Sequence, residues 1–107
     1  MEPKNIERSL KNQDEQIRLI HDAEEKYERD RDINSLITFW EKIWSQGGIL
    51  FPGSRWTFRL PDLYIKQKRY SDALKIVNLI DNPSYLEKRQ AYIKRITALN
   101  EKENRKR

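Results

Sequence analysis

Cysteine is absent from this 107-residue chain, which excludes disulfide staples and thiolate metal sites. Glycine (3) and proline (4) are scarce, so long helices are allowed almost everywhere between them. No apolar run approaches the roughly 18–20 residues of a membrane span. The opening Met1-Glu2-Pro3-Lys4-Asn5 lacks the apolar stretch of a signal peptide. The expectation is therefore a cytoplasmic protein with no membrane partner. A single histidine, His21, rules out a multi-histidine metal site. Gly47-Gly48 lacks the Lys and Ser/Thr of a phosphate loop. Carboxylate pairs such as Glu24 and Glu28, one turn apart, read as solvated helix charges. No enzyme activity, cofactor or metal is expected.

What is present is charge. Charged residues make up 36% of the chain, against about 25% in an average domain. Three Trp, five Tyr and three Phe argue against wholesale disorder, and the length suits a single domain. The net +5 is unevenly spread. Residues 1–53 hold 8 Lys/Arg against 11 Asp/Glu, a net of −3; residues 54–107 hold 14 against 6, a net of +8. This asymmetry suits an acidic partner for the second half, or head-to-tail association of copies. Solubilising cations on exposed helix faces are the plainer alternative.

Apolar spacing predicts five helices and no strand. The first runs from about Asn5, a candidate N-cap, to Arg29, with Ile6, Leu10, Ile17, Ile20, Ala23 and Tyr27 on one stripe. That stripe lapses over Lys11 to Gln16, so the first turns extend past the core or fray. The second covers Ile33 to Ser45, capped by Asp32 and stopped by Gly47-Gly48, with Ile33, Leu36, Ile37, Trp40, Ile43 and Trp44 on a wide buried stripe. An apolar loop, Ile49-Leu50-Phe51-Pro52-Gly53, follows and is expected to tuck against the helices. The third helix starts after Ser54 and runs to Lys68, kinked or restarted at Pro61. A turn at Arg69-Tyr70-Ser71 leads to the fourth, which carries Ala73, Leu74, Ile76, Val77 and Ile80 and ends at Asp81-Asn82-Pro83. Ser84-Tyr85-Leu86-Glu87 fits a capping box opening the fifth, with Leu86, Tyr92, Ile93, Ile96 and Leu99 against the fourth helix. The polar tail from Glu101 is expected to fray.

The segment Leu60 to Leu74 resembles the core of a tetratricopeptide repeat (TPR), through Leu60, Tyr64, Tyr70 and Ala73 at that family's spacings. A shift of 37 residues places Leu60, Tyr64, Tyr70, Ala73, Leu74 and Val77 on Ala23, Tyr27, Ile33, Leu36, Ile37 and Trp40, all apolar. A degenerate first unit over 17–45 and a better one over 54–83 follow. The resemblance implies an all-α, TPR-like α-solenoid of two helical hairpins plus a C-terminal capping helix at 84–100, with a basic flexible tail at 101–107. Two departures stand out. Pro61 replaces a small residue, and Leu36 replaces the small residue of the first unit, which should set its helices farther apart.

The same resemblance implies a groove lined by the first helix of each pair, holding a protein or peptide. Carried over, its lining would be Arg55, Phe58, Arg59, Asp62, Ile65 and Lys66 on the third helix, with Arg18, His21, Asp22 and Glu25 on the first. Arg55 and Arg59 resemble the cationic pair of a carboxylate clamp, but His21 and Glu25 stand where its other members belong. A less specific acidic or mixed groove fits better. Trp40 and Trp44 read as core; one of Trp56 and Phe58 must face away and could anchor an interface. A nucleic acid is the rival partner, through Lys88, Arg89, Lys94, Arg95, Lys102, Arg105, Lys106 and Arg107, although Glu87, Glu101 and Glu103 interrupt that patch. Self-association is the third reading, because two units are few for a solenoid.

Overall fold

The computed structural model describes residues 3–49 and 56–106, with side chains from residue 13 onward. The protein is all-α: among these residues there are α1 (Pro3–Asp30), α2 (Ile33–Ser45), α3 (Arg59–Lys66), α4 (Tyr70–Leu79), a 3-10 turn (Pro83–Tyr85) and α5 (Leu86–Arg105). The chain forms two compact units, Met1–Gly53 and Ser54–Arg107. Their boundary is also where the sign of the net charge changes.

The first unit is the α1–α2 hairpin. Pro3 opens α1, a position where its missing N–H costs nothing, so Asn5 lies inside the helix instead of capping it. Ile6 and Leu10, expected on this stripe, lie outside the described side chains. Ile20 is fully buried, and Gln16 is buried too, its Nε2 donating to the Gly48 carbonyl at 3.1 Å. The stripe therefore continues through an amide that satisfies the loop after α2. Arg31, at φ 56°, reverses the chain. Asp32 caps α2 by accepting from the Ser35 amide (3.2 Å) and hydroxyl (2.7 Å). These bonds, the hydroxyl's foremost, hold its carboxyl below the usual range. Leu36, Ile37, Trp40 and Ile43 fill the hairpin, and the Trp40 indole donates to Glu24 Oε2 at 2.9 Å.

Gly47 and Gly48 end α2 through paired bonds, Gly47 N–H to Trp44 O (3.2 Å) and Gly48 N–H to Ile43 O (3.0 Å). This is a Schellman closure, with Gly47 at φ 110° where a side chain would be strained. The apolar loop from Leu50 and the Ser54 cap lie outside the described residues; Ile49 is half-buried.

The second unit has three helices. Its first, α3, starts at Arg59, later than the pattern suggests, with Phe58 at the N-cap and no side-chain cap bond. Pro61 is thus the third helical residue. Its absent N–H would have had no intrahelical acceptor, so it neither kinks nor breaks α3. Lys68, at φ 58°, turns the chain, with Lys68 N–H on Ile65 O (3.0 Å) and Arg69 N–H on Tyr64 O (2.8 Å). The turn accordingly precedes Tyr70, which already begins α4.

Leu60, Pro61, Leu63 and Tyr64 on α3 bury with Tyr70, Ala73 and Val77 on α4. Asn82, not Ser84, caps the 3-10 turn, accepting from the Ser84 amide at 2.8 Å. On α5 only Ile96 is fully buried; Tyr92, Ile93 and Leu99 are half-buried. Leu86 is 49% exposed, so it does not join the core. The expected fraying tail is helical through Arg105, and Glu103 within it pairs with Lys68 at 3.6 Å.

Three cross-contacts fix how α5 runs. Tyr92 stacks on Phe58 (4.5 Å) near the start of α3, while Glu103 meets Lys68 just past its end. Arg89, near the start of α5, reaches Asn78 near the end of α4 at 3.5 Å. Hence α5 is parallel to α3 and antiparallel to α4.

Candidate partner-binding site

In α3, Arg59, Asp62 and Lys66 are spaced i, i+3, i+7 and form one stripe. Asp62 is half-buried and accepts from the Tyr92 hydroxyl of α5 at 2.8 Å. Burial, then that bond and the Asp62 charge, push the Tyr92 phenol up to about 12, opposed by the Arg95 cation. Tyr92 therefore remains a neutral donor and joins the edges of α3 and α5.

Phe58 is buried, not groove-facing: Tyr92 stacks on it, Tyr85 meets it edge-on (6.2 Å), and Lys88 Nζ lies 5.0 Å from its ring centre. Its hydrophobic area is consumed inside the unit, which leaves no face for a partner. Trp56, its neighbour, is half-buried. Arg59 and Ile65 are half-buried and Lys66 is exposed; Arg55 lies outside the described residues.

Along the α5 edge beside this stripe run Lys88, Arg95 and Lys102, all exposed. Seven residues separate each from the next, about 10.5 Å along the axis. Exposed Ala91 and Ala98 flank the row on its outer side, and half-buried Tyr92 and Leu99 flank it on the side towards the core of the unit. Lys88 lies over Phe58, and the charge of Arg95 is felt at Tyr92, so this row borders the Asp62 side of α3. Within this unit, Arg59, Lys66, Lys88, Arg95 and Lys102 border a face whose acids are engaged, Asp62 by Tyr92 and Glu103 by Lys68. In the sequence these α5 cations read as a nucleic-acid patch and as part of a basic half suited to an acidic partner. Their alliance with α3 depends on the parallel docking of α5.

On α1, Arg18, His21, Asp22 and Glu25 are all exposed. They lie away from Gln16, Ile20 and Tyr27, which face α2. The first unit has a cleft elsewhere. It has a volume of about 590 Å³, lined by Glu15, Gln16, Leu19, Phe39, Lys42, Ile43 and Gln46. The predicted α1 residues do not line it. Its signal in sequence is Phe39 beside Trp40, which makes α2 apolar on two faces and not one.

Among the described residues no group of three His, Asp or Glu side chains could hold a metal ion. Nor is any described helix long and apolar enough to cross a membrane. Comparison with known proteins gives no match, whether to protein-family models, to curated proteins or to solved structures.

Proposed function

We propose that this chain is a non-catalytic, TPR-like helical-repeat module that binds an acidic peptide or helix on the α3/α5 face of its second unit. The observation that carries the reading is the exposed row Lys88, Arg95 and Lys102 beside Arg59 and Lys66. Support for the repeat comes from the two hairpin turns. Arg31 and Lys68 are the left-handed residues, Asp32 and Arg69 the N-caps, and Ile33 and Tyr70 the first residues of the second helices. Each pair is 37 residues apart, the offset of the sequence match. In this reading α5 stands where the first helix of a following repeat would stand.

Regularly spaced cations on a rigid helix favour a partner with acids at similar steps, and long-range attraction raises the encounter rate. Exposed pairs are individually weak and screened by salt, so affinity should be modest and fall as salt rises. The test uses a fluorescein-labelled helical peptide with glutamates at seven-residue intervals, followed by fluorescence anisotropy. The triple variant Lys88→Glu/Arg95→Glu/Lys102→Glu should weaken binding by at least about tenfold, several small pairwise losses together. Equal binding by wild type and variant sinks the reading.

The same cations favour a nucleic acid as the second reading. Glu87 and Glu101, exposed beside Lys88 and Lys102, repel any anion. A peptide can space its acids to avoid them, whereas a polyphosphate chain carries charge on every unit. A single-stranded oligonucleotide that binds at low salt, more tightly than the peptide, would decide for it.

A further inference from the structure

We infer that the acidic helix recognised by the α5 row is α1 of a second copy of this chain, an inference that rests on the reading of that row as an acidic-helix site. Three observations support it. The two units carry opposite net charge, −3 and +8, so a mutual surface exists between copies without any third component. On α1, exposed Asp14, Asp22 and Glu25 share the face turned away from α2 with Arg18 and Arg29, and exposed Glu15 stands at its edge, beside the α1–α2 cleft. Glu15 and Asp22 are seven residues apart, the same step of about 10.5 Å that separates Lys88 from Arg95 and Arg95 from Lys102. Laid along the row, Glu15 and Asp22 meet two successive cations in register, with Arg29 one step further on, and Ala91 and Ala98 permit a close approach.

Each copy carries both surfaces. A twofold pair makes the contact twice, whereas a head-to-tail chain makes it once per link. Because the contact is built from exposed charges, the association is weak and salt-sensitive. It acts as a concentration sensor: an acidic partner of higher affinity would displace α1 from the same row.

The experiment is sedimentation equilibrium on the full chain, with circular dichroism melts to verify folding of each variant. Wild type should self-associate at about 25 mM salt, with a dissociation constant at least about tenfold higher at about 300 mM. The row variant Lys88→Glu/Arg95→Glu/Lys102→Glu should be monomeric, as should the reciprocal Asp14→Lys/Asp22→Lys/Glu25→Lys. Mixed one to one, the two carry complementary surfaces again and should form a heterodimer. Two results overturn the inference: wild type monomeric at about 1 mM protein, where even a millimolar constant would show, or self-association that neither variant weakens. Peptide anisotropy on the same samples separates the two claims. A monomer that still binds the glutamate peptide through the row keeps the acidic-helix reading and removes only the second copy. A protein that does neither loses both.

Discussion

The two hairpins turn alike and fill differently. Arg31 and Lys68 occupy the same left-handed place, and each is accompanied by a guanidinium over the preceding tyrosine: Arg31 on Tyr27 at 5.6 Å, Arg69 on Tyr64 at 4.6 Å. Between the helices the bulk is distributed differently. Where α4 presents Ala73 and Val77, α2 presents Leu36 and Trp40, all buried. The α3 and α4 backbones accordingly run close along more of their length than those of α1 and α2. The lesson is that a repeated turn fixes connectivity, while two side-chain volumes set how near the helices come.

The largest effect should come from Trp40→Ala. It empties a fully buried site and strands the Glu24 bond, a loss of about 3–5 kcal/mol in denaturant unfolding. A loss under about 1 kcal/mol would show that Trp40 is not what separates α1 from α2. Next, Ala73→Leu copies the first unit's side chain into the tighter hairpin and should cost about 1–3 kcal/mol through overpacking. If it is neutral, the closeness of α3 and α4 does not depend on a small residue there.

Lys68→Gly should stabilise the second unit by about 0.5–1 kcal/mol, since glycine adopts positive φ without a Cβ penalty and the pair that exposed Lys68 makes with Glu103, at 3.6 Å, is weak. Arg31→Gly should gain less, because it also removes the cation over Tyr27. Equal gains would mean that the Arg31 contact contributes nothing.

The pH profile gives the smallest expected effect. The folded state raises Tyr92 from 10.0 to about 12, so its contribution is fully present below pH 10. It is lost as pH rises through 10 towards 12, when the phenol ionises beside Asp62. Thermal melts of wild type should fall over that window more steeply than those of Tyr92→Phe. Parallel curves would show that the Tyr92–Asp62 bond does not couple α5 to α3.

Much of the fold could be read in the sequence, for reasons particular residues make plain. The bounds of α2 match because Asp32 and Gly47-Gly48 are local signals, read by adjacent backbone groups. The capping-box motif misled at Ser84, because Asn82 lies one residue before Pro83 and takes the exposed amide first. The start of α3 is not legible either, since Pro61 is as comfortable in a first turn as at a kink. Of the groove residues carried over, Lys66, Arg18 and His21 are exposed, Arg59 and Asp62 are half-buried, and Phe58 is withdrawn under Tyr92.

By itself the sequence determined the five helices, their two tight reversals and the 37-residue echo between them, because each depends on neighbours within a few turns. Tertiary structure alone decided that α5 lies parallel to α3, which hides Phe58 and ties Asp62 to Tyr92. It also decided that Lys88, Arg95 and Lys102 border the α3 stripe. Side chains thirty residues apart become partners only through helix docking, and no local pattern encodes that geometry.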